Sequence, residues 1–283
     1  MIKNSKNALI IGFGRMGQLY WKILREFGFL NIEIVDKKTK NLTIANREYG
    51  ISKNFISRKI KKKHSSTKYQ IVILSTTTDA KFISFKKIAS KNTKLIFFEK
   101  PLCSSLKECI KIKLLSQKFG IKIGINHQSR FTYEVEKILR MVKNYKKDDL
   151  KSLSLIAGNI GIAMNGVHIV ELFNFLTKNP INKVNASFEK KLITNPRGRK
   201  FRDFAGQIIC KNKKNNILTI HTSNAQGHGF NLIFTFKNGF IFLDYLNGNL
   251  YFNFRKKNFF KKKSNFYGLP SVVKNTKIKV SSI

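Results

Sequence analysis

An apolar strand that runs straight into a glycine triplet and then into a helix constrains this chain more than any other feature. Ala8-Leu-Ile-Ile-Gly-Phe-Gly-Arg-Met-Gly17 has that order. In such a turn Gly12 permits the tight reversal and Gly14 lets the backbone approach a pyrophosphate. Gly17 lets the next helix pack closely on the strand, with its N-terminus facing the anion. The residues behind it supply the helix: Met16, Leu19, Tyr20, Ile23, Leu24 and Phe27 recur at helical spacing. A second strand, Asn31-Ile-Glu-Ile-Val-Asp36, ends in a carboxylate about 20 residues on, where a ribose ligand belongs. The pattern predicts a dinucleotide site whose turn is Gly12, Phe13, Gly14, Arg15, Met16 and Gly17. Asp36 would accept ribose hydroxyls of NAD and repel a 2′-phosphate. Lys37 and Lys38 beside it pull toward NADP, so NAD is expected and NADP is the alternative.

Through residue 125 strand-like and helix-like patterns alternate, the mark of a parallel sheet flanked by helices. Strands are expected at Ala8 to Ile11, Ile32 to Val35, Gln70 to Ser75, Lys94 to Phe98 and Ile121 to Ile125. Helices are expected at Arg15 to Phe27, Lys38 to Tyr49, Ala80 to Ser90 and Ser105 to Phe119. Ser105 with Glu108 reads as a capping box, and Gly120 as the stop.

After residue 150 the texture changes to repeated strands, with one helix at Gly166 to Leu176. Asn238-Gly239 and Asn247-Gly248 each lie between strand-like runs and predict hairpins. Earlier strands are expected at Lys151 to Ala157, Val184 to Lys190, Phe204 to Cys210 and Ile217 to Ser223. The fold class is therefore α/β: a dinucleotide-binding domain over 1–125, then an α+β substrate and oligomerisation domain over 126–283 with a largely antiparallel open sheet. One face of that sheet needs cover, which predicts a homodimer or homotetramer. The tail from Arg255 to Ile283 is lysine-rich with little periodicity and is expected to be partly ordered at most.

Lys and Arg number 55 against 15 Asp and Glu, a formal charge of +40. The basic runs, Arg58 to Lys63, Lys256-Lys257 and Lys261 to Lys263, are scattered rather than gathered on one recognition helix, and no stacking-aromatic motif accompanies them. Solvated faces are expected, and no specific nucleic-acid partner. The charge would still concentrate anionic small molecules, which favours an acidic or nucleotide-linked substrate. No apolar run approaches the ~20 residues that span a bilayer, and Met1 to Asn7 lead into the first strand without a signal-peptide pattern. A cytoplasmic location is expected. Cys103, Cys109 and Cys210 are odd in number and lack metal-ligand spacing, which predicts reduced thiols with neither disulfide nor metal.

Four chemistry-bearing segments fall at carboxyl ends of expected strands, where an open α/β sheet binds its ligand. Beyond the glycine turn and Asp36 these are Ser75-Thr76-Thr77-Thr78 and Glu99-Lys100-Pro101. The hydroxyls of Ser75, Thr76 and Thr77 suit cofactor phosphate or ribose, or form a simple turn. Lys100 follows an apolar strand and precedes a proline, so it is held at the sheet edge, with Glu99 as its candidate ion-pair partner.

Taken in order, Gly12-x-Gly14-x-x-Gly17, Asp36, Glu99-Lys100-Pro101, Asn126-His-Gln-Ser-Arg130-Phe131 and Gly166-x-His168-x-x-Glu171 resemble the glucose-fructose oxidoreductase and inositol dehydrogenase family (Gfo/Idh/MocA). The resemblance runs from Ala8 to the hairpins near Phe254. It implies a Rossmann domain, an open-sheet domain, and hydride transfer between a nicotinamide and a hydroxyl or carbonyl carbon of a sugar or sugar derivative. By that resemblance Lys100 touches the substrate hydroxyl and the nicotinamide, and His168 is the general acid or base. Arg130 lines the cleft, for a substrate anion or as an ion-pair partner of the following helix. Asn165 offers a hydrogen bond, and Glu171, three residues from His168 on one helix face, orients the ring. Relatives commonly carry an aspartate four residues before this histidine, where this chain has Met164. That departure keeps open a non-catalytic dinucleotide-binding regulator or sensor of the same fold. His127, His221 and His228 are unassigned, with His228 in Ala225-Gln-Gly-His-Gly229 a candidate loop residue.

Overall fold

The computed structural model describes residues 6–142, 150–193, 201–227, 229–260 and 273–279. The chain divides into two compact units, Met1–Asn126 and His127–Ile283.

In the first unit, strands dense in Ile, Leu, Val and Phe pair in parallel because helices cover both faces of the sheet. These are β1 (Asn7–Ile11), β2 (Asn31–Val35), β3 (Ile56–Ser57), β4 (Ile71–Leu74), β5 (Leu95–Phe98) and β6 (Lys122–Ile125), in the order β3-β2-β1-β4-β5-β6. The connecting helices are α1 (Arg15–Glu26), α2 (Thr39–Arg47), α3 (Lys62–Ser66), α4 (Thr78–Ile88) and α5 (Leu106–Phe119). Alternate strand residues feed two cores. Leu9, Val72, Leu74, Ile96 and Phe98 pack with Phe85, Ile88 and Ile112. Ala8, Ile10 and Ile34 pack with Tyr20, Leu24 and Ala45. Each fully buried Ile, Leu, Val or Phe among them contributes about 1.5–3 kcal/mol. The strand order reverses between β1 and β4, which opens a crevice at their carboxyl ends.

Helix α5 starts as its sequence implies. Ser105 Oγ accepts the Glu108 amide at 3.2 Å, and Gly120 ends the helix in the left-handed region at φ 67°. The return bond of the expected capping box goes one residue upstream, from the Ser104 amide to Glu108 Oε2 at 2.9 Å.

The second unit holds α6 (Tyr133–Met141), α7 (Val167–Thr177) and an eight-stranded sheet. Its strands are β7 (Leu150–Gly158), β8 (Ile181–Ile193), β9 (Asp203–Asn212), β10 (Ile217–Ser223), β11 (Phe230–Phe236), β12 (Gly239–Asp244), β13 (Asn249–Arg255) and β14 (Val273–Lys279), ordered β14-β13-β12-β11-β7-β10-β9-β8. All neighbours are antiparallel except β7 and β10. Both Asn-Gly segments sit at hairpins, between β11 and β12 and between β12 and β13. The covered face of the sheet packs Leu153, Leu155, Leu218, Leu232 and Phe234 against Ile169, Leu172 and Phe173 of α7 and Val135 and Ile138 of α6.

Four features depart from the sequence reading. β3 and α3 are short and lie in a lysine-rich stretch without periodicity. α6 went unread, although Val135, Ile138 and Val142 form a buried stripe at helical spacing. The lysine-rich tail, expected to be partly ordered, is described in part, but it supplies an edge strand that went unread, β14, which pairs with β13 over Asn249 to Arg255. Cys103 and Cys109 are joined by a disulfide, against the expectation of reduced thiols. The chain reverses into α5 at Ser105, which brings their Cα atoms to 6.1 Å despite the absence of a recognised Cys motif. Cys210 is a free, buried thiol whose pKa is raised by burial. Among the described residues no helix is long and apolar enough to cross a membrane.

Candidate functional site

In the first unit the turn after β1 is shaped by what surrounds it. Gly12 has φ 96°, and a Cβ there would lie 2.8 Å from the Ser75 carbonyl carbon. A Cβ on Gly17 would lie 2.0 Å from the Gly12 oxygen, so α1 approaches β1 only because this residue is glycine. Gly14 is different: nothing stands within 4 Å of its Cβ position, which leaves open space at the helix entry. No side chain caps α1, and no acidic residue sits in its first turn, so its N-terminal field suits an anion. Phe13 is fully buried, edge-on to Tyr49 at 5.4 Å, and Met16 is half-buried, while Arg15 is exposed.

Asp36, at the end of β2, is 8% exposed. Its Oδ2 accepts the Phe13 amide at 2.7 Å and Asn41 Nδ2 at 2.8 Å, and its Oδ1 accepts the Lys38 amide at 2.7 Å. Lys37 and Lys38 are exposed. After β4, the Ser75 hydroxyl donates to the Gly12 carbonyl at 2.6 Å, and Thr77 precedes α4. The buried Thr76 hydroxyl has no hydrogen-bond partner among the described residues. An open glycine cradle, an uncapped helix and an unmatched hydroxyl, all at carboxyl strand ends, fit a dinucleotide.

Glu99 and Lys100 follow β5. The Glu99 carboxylate, 5% exposed, accepts Asn126 Nδ2 at 2.8 Å and the Tyr20 hydroxyl. Burial, with the Glu99 charge beside it, pushes the Tyr20 hydroxyl pKa well above its ordinary range. Lys81 of α4, fully buried, donates to the carbonyls of Glu99 and Pro101, the two residues that flank Lys100. The sequence reading missed Lys81 and Tyr20. The available signal was a lysine at helical spacing with Phe85 and Ile88, on a face that is otherwise core.

The second unit gathers its own polar cluster. A π-helical turn (Ile162–Gly166) runs into α7, which carries His168, Glu171 and Asn174 along one face. The Asn165 amide closes the turn on the Gly161 carbonyl at 2.9 Å. From the segment before α6, His127 meets His168 edge to face, ring centroids 5.6 Å apart. Arg130 Nη1 lies 3.2 Å from Glu171 Oε1. Its guanidinium covers Phe131 at 4.8 Å and Phe175 at 5.3 Å. Burial raises the Glu171 carboxyl pKa, and the Arg130 charge opposes that shift. Arg130 Nε, Glu171 Oε2 and Asn174 Oδ1 are buried without hydrogen-bond partners among the described residues. Arg130 thus makes its ion pair with α7, the helix expected at Gly166 to Leu176, and passes over the unread α6.

The structure therefore assembles the expected cofactor residues at the strand ends of one unit, with Lys100 beside them. It assembles Arg130, Asn165, His168 and Glu171 in the other. His127 joins the second group, His221 sits exposed on β10, and His228 lies outside the described residues. Sequence reasoning also passed over Asp203, 2% exposed at the start of β9, whose carboxylate holds the π-helical turn.

Residues 6–127 match the family model GFO_IDH_MocA, described as an oxidoreductase family with an NAD-binding Rossmann fold. The resemblance read from the motifs is borne out over that span. No curated protein matches the chain by sequence. Solved structures share the fold at low identity. UDP-N-acetylglucosamine 3-dehydrogenase GnnA from Acidithiobacillus ferrooxidans superposes with a TM-score of 0.76 at 12% identity, over 100% of this chain and 85% of that one. An oxidoreductase from Agrobacterium radiobacter, in complex with NAD+, L-tartaric acid and magnesium, gives 0.77 at 13% identity over 99% and 81%. The WlbA dehydrogenase from Bordetella pertussis, in complex with NADH and UDP-GlcNAcA, gives 0.69 at 12% over 85% and 78%.

Proposed function

We propose that this chain, whose N-terminal unit is the NAD-binding Rossmann domain of the Gfo/Idh/MocA oxidoreductases, is an NAD-dependent dehydrogenase or reductase. It acts on a hydroxyl or carbonyl carbon of an anionic sugar derivative. The observation that carries the reading is Lys100. It stands at the strand-end edge that holds the glycine turn and Asp36, its backbone flanked by two carbonyls gripped by buried Lys81. Its backbone is thereby fixed at the strand-end edge, which supports a role for Lys100 on a bound ligand. The UDP-sugar dehydrogenases among the structural neighbours, together with the +40 charge, support a sugar nucleotide or similarly acidic sugar.

The bound nicotinamide supplies the hydride acceptor or donor; the chain's own residues do the rest. The glycine turn and the α1 N-terminus take the pyrophosphate, Asp36 the adenosine ribose, and Ser75, Thr76 and Thr77 line the neighbouring edge. A carbinol carbon yields hydride only as its hydroxyl proton leaves, so a base that titrates near neutrality is needed within hydrogen-bond reach. His168 fills that role, and the Lys100 ammonium stabilises the developing oxyanion. Arg130, paired with Glu171, and Asn165 bind the substrate. We further propose a cytoplasmic enzyme that associates through its open sheet face, where Ile156, Ile209 and Phe240 are exposed side chains of one face.

The reading is tested by titrating the purified protein with NADH and NADPH by nicotinamide fluorescence at moderately high salt, then screening UDP-sugars for turnover. Saturable binding that prefers NADH is expected. His168→Ala is expected to abolish turnover and leave NADH affinity nearly unchanged; equal turnover in that variant sinks the assignment. Met164 favours one alternative, a dinucleotide sensor without chemistry, which predicts tight NADH binding and no turnover with any sugar.

A further inference from the structure

The helical run that carries His168 begins without a cap of its own, since Gly161, the residue before the π-helical turn, has no side chain to offer. Its first amides are met from another strand. Asp203 Oδ1 accepts the Ala163 amide at 2.9 Å and Oδ2 accepts the Met164 amide at 3.0 Å. Oδ1 also accepts the amide of Phe204 at 2.9 Å, so both oxygens are committed. The Asp203 backbone is held in turn by its pairing with Ile193 of β8. Gly161 makes the room: a Cβ there would stand 1.9 Å from Asp203 Oδ2 and 2.1 Å from Cγ. A carboxylate in this place meets the partial positive charge of a helix start and forms charge-assisted hydrogen bonds out of water.

We propose that Asp203 is a positioning residue: it pins the start of the helical run to β9 and so sets the rotation and height at which His168 leaves the first turn of α7. The proposal rests on the reading of His168 as the acid or base. It adds that His168 is placed by a carboxylate that never touches substrate. A displacement of about 1 Å at a reacting group costs about 10²-fold in rate, so the clamp is worth that much to turnover. Gly161 is part of the same device, because any side chain there would evict the carboxylate.

Two variants test it. Asp203→Asn keeps the shape and turns one accepting oxygen into a donor that faces an amide N–H. Gly161→Ala leaves Asp203 intact and fills its seat. In both, the ring resonances of His168, assigned by their loss in His168→Gln, are expected to move, while those of His64 in the first unit stay and the NADH Kd holds within about twofold. With a turned-over substrate, kcat is expected to fall about 10²-fold while KM holds. Unmoved His168 resonances in both variants overturn the proposal. Hydrogen exchange in the wild type needs no variant: protected Ala163 and Met164 amides are expected, and rapid exchange of both overturns it. The two readings fail separately. Without NADH binding or turnover the enzyme reading falls, yet the His168 resonances still report the clamp.

Discussion

Asp36 Oδ2 accepts the backbone amide of Phe13 at 2.7 Å, tying the end of β2 to the middle of the glycine turn. The carboxylate expected to receive a ribose therefore also braces the loop that would hold the pyrophosphate. Asp36→Asn removes the charge that repels a 2′-phosphate beside exposed Lys37 and Lys38. The ratio of NADPH to NADH affinity is expected to rise by about tenfold or more, equivalent to ~1.4 kcal/mol. Fluorescence titration with both nucleotides checks it, and an unchanged ratio contradicts the assigned role.

Lys81→Met leaves the carbonyls of Glu99 and Pro101 without their buried donor. A loss of roughly 2–4 kcal/mol is expected from two stranded acceptors, read as a lower urea midpoint. Lys81→Arg is expected not to rescue it, because the site is fully buried and closely packed.

Arg130→Met removes the charge that opposes the raised pKa of Glu171. The Glu171 carboxyl should then titrate still higher and take up its proton nearer neutrality. A stability loss of about 1–2 kcal/mol is expected at pH 7. Adding Glu171→Gln should recover part of it, because the uncompensated charge is gone. Additive losses in a double-mutant cycle would show that the pair is not coupled.

Glu33 sits outside the site and gives the fold its clearest acid dependence. The His64 ring, its Nε2 at 3.4 Å, together with Lys63 at 2.8 Å and the Tyr69 hydroxyl at 2.9 Å, holds its carboxyl down to about 2 from an ordinary 4.5. A depressed carboxyl stabilises the fold above its unfolded value and loses that contribution as pH falls through the folded one. Glu33→Gln is expected to cost on the order of 2–3 kcal/mol at pH 7. The gap from wild type should close between pH 4.5 and pH 2 in denaturation curves.

Much of this architecture was legible because it is written in local pattern. Ala8 to Gly17 specifies strand, turn and helix in one stretch, and the two Asn-Gly segments announce their hairpins. Polar residues buried by distant partners carry no such mark. Lys81 lies in a helix otherwise rich in surface lysines, and only its spacing with Phe85 and Ile88 hints at burial. Asp203 reads as the polar start of a strand, and its partners Ala163 and Met164 are far off in sequence. Glu171 illustrates the converse. Its helical spacing places it correctly on the face of His168, yet the reach of Arg130 from another segment determines where its carboxylate goes. The Cys103–Cys109 bond escaped because bond formation depends on the reversal at Ser105 rather than on cysteine count.

The parallel pairing of β7 with β10 has a consequence for how this chain acquires its shape. β7 leaves the ribosome first among the eight strands, yet both of its neighbours, β10 and β11, follow far downstream. Until they emerge, Leu153 and Leu155 have no sheet to enter, and β8 and β9 can pair only with each other. Distant pairing of this kind makes for slow closure and a sticky interval on the way. A strand central to the finished sheet is thus one of the last to be covered as the protein is made.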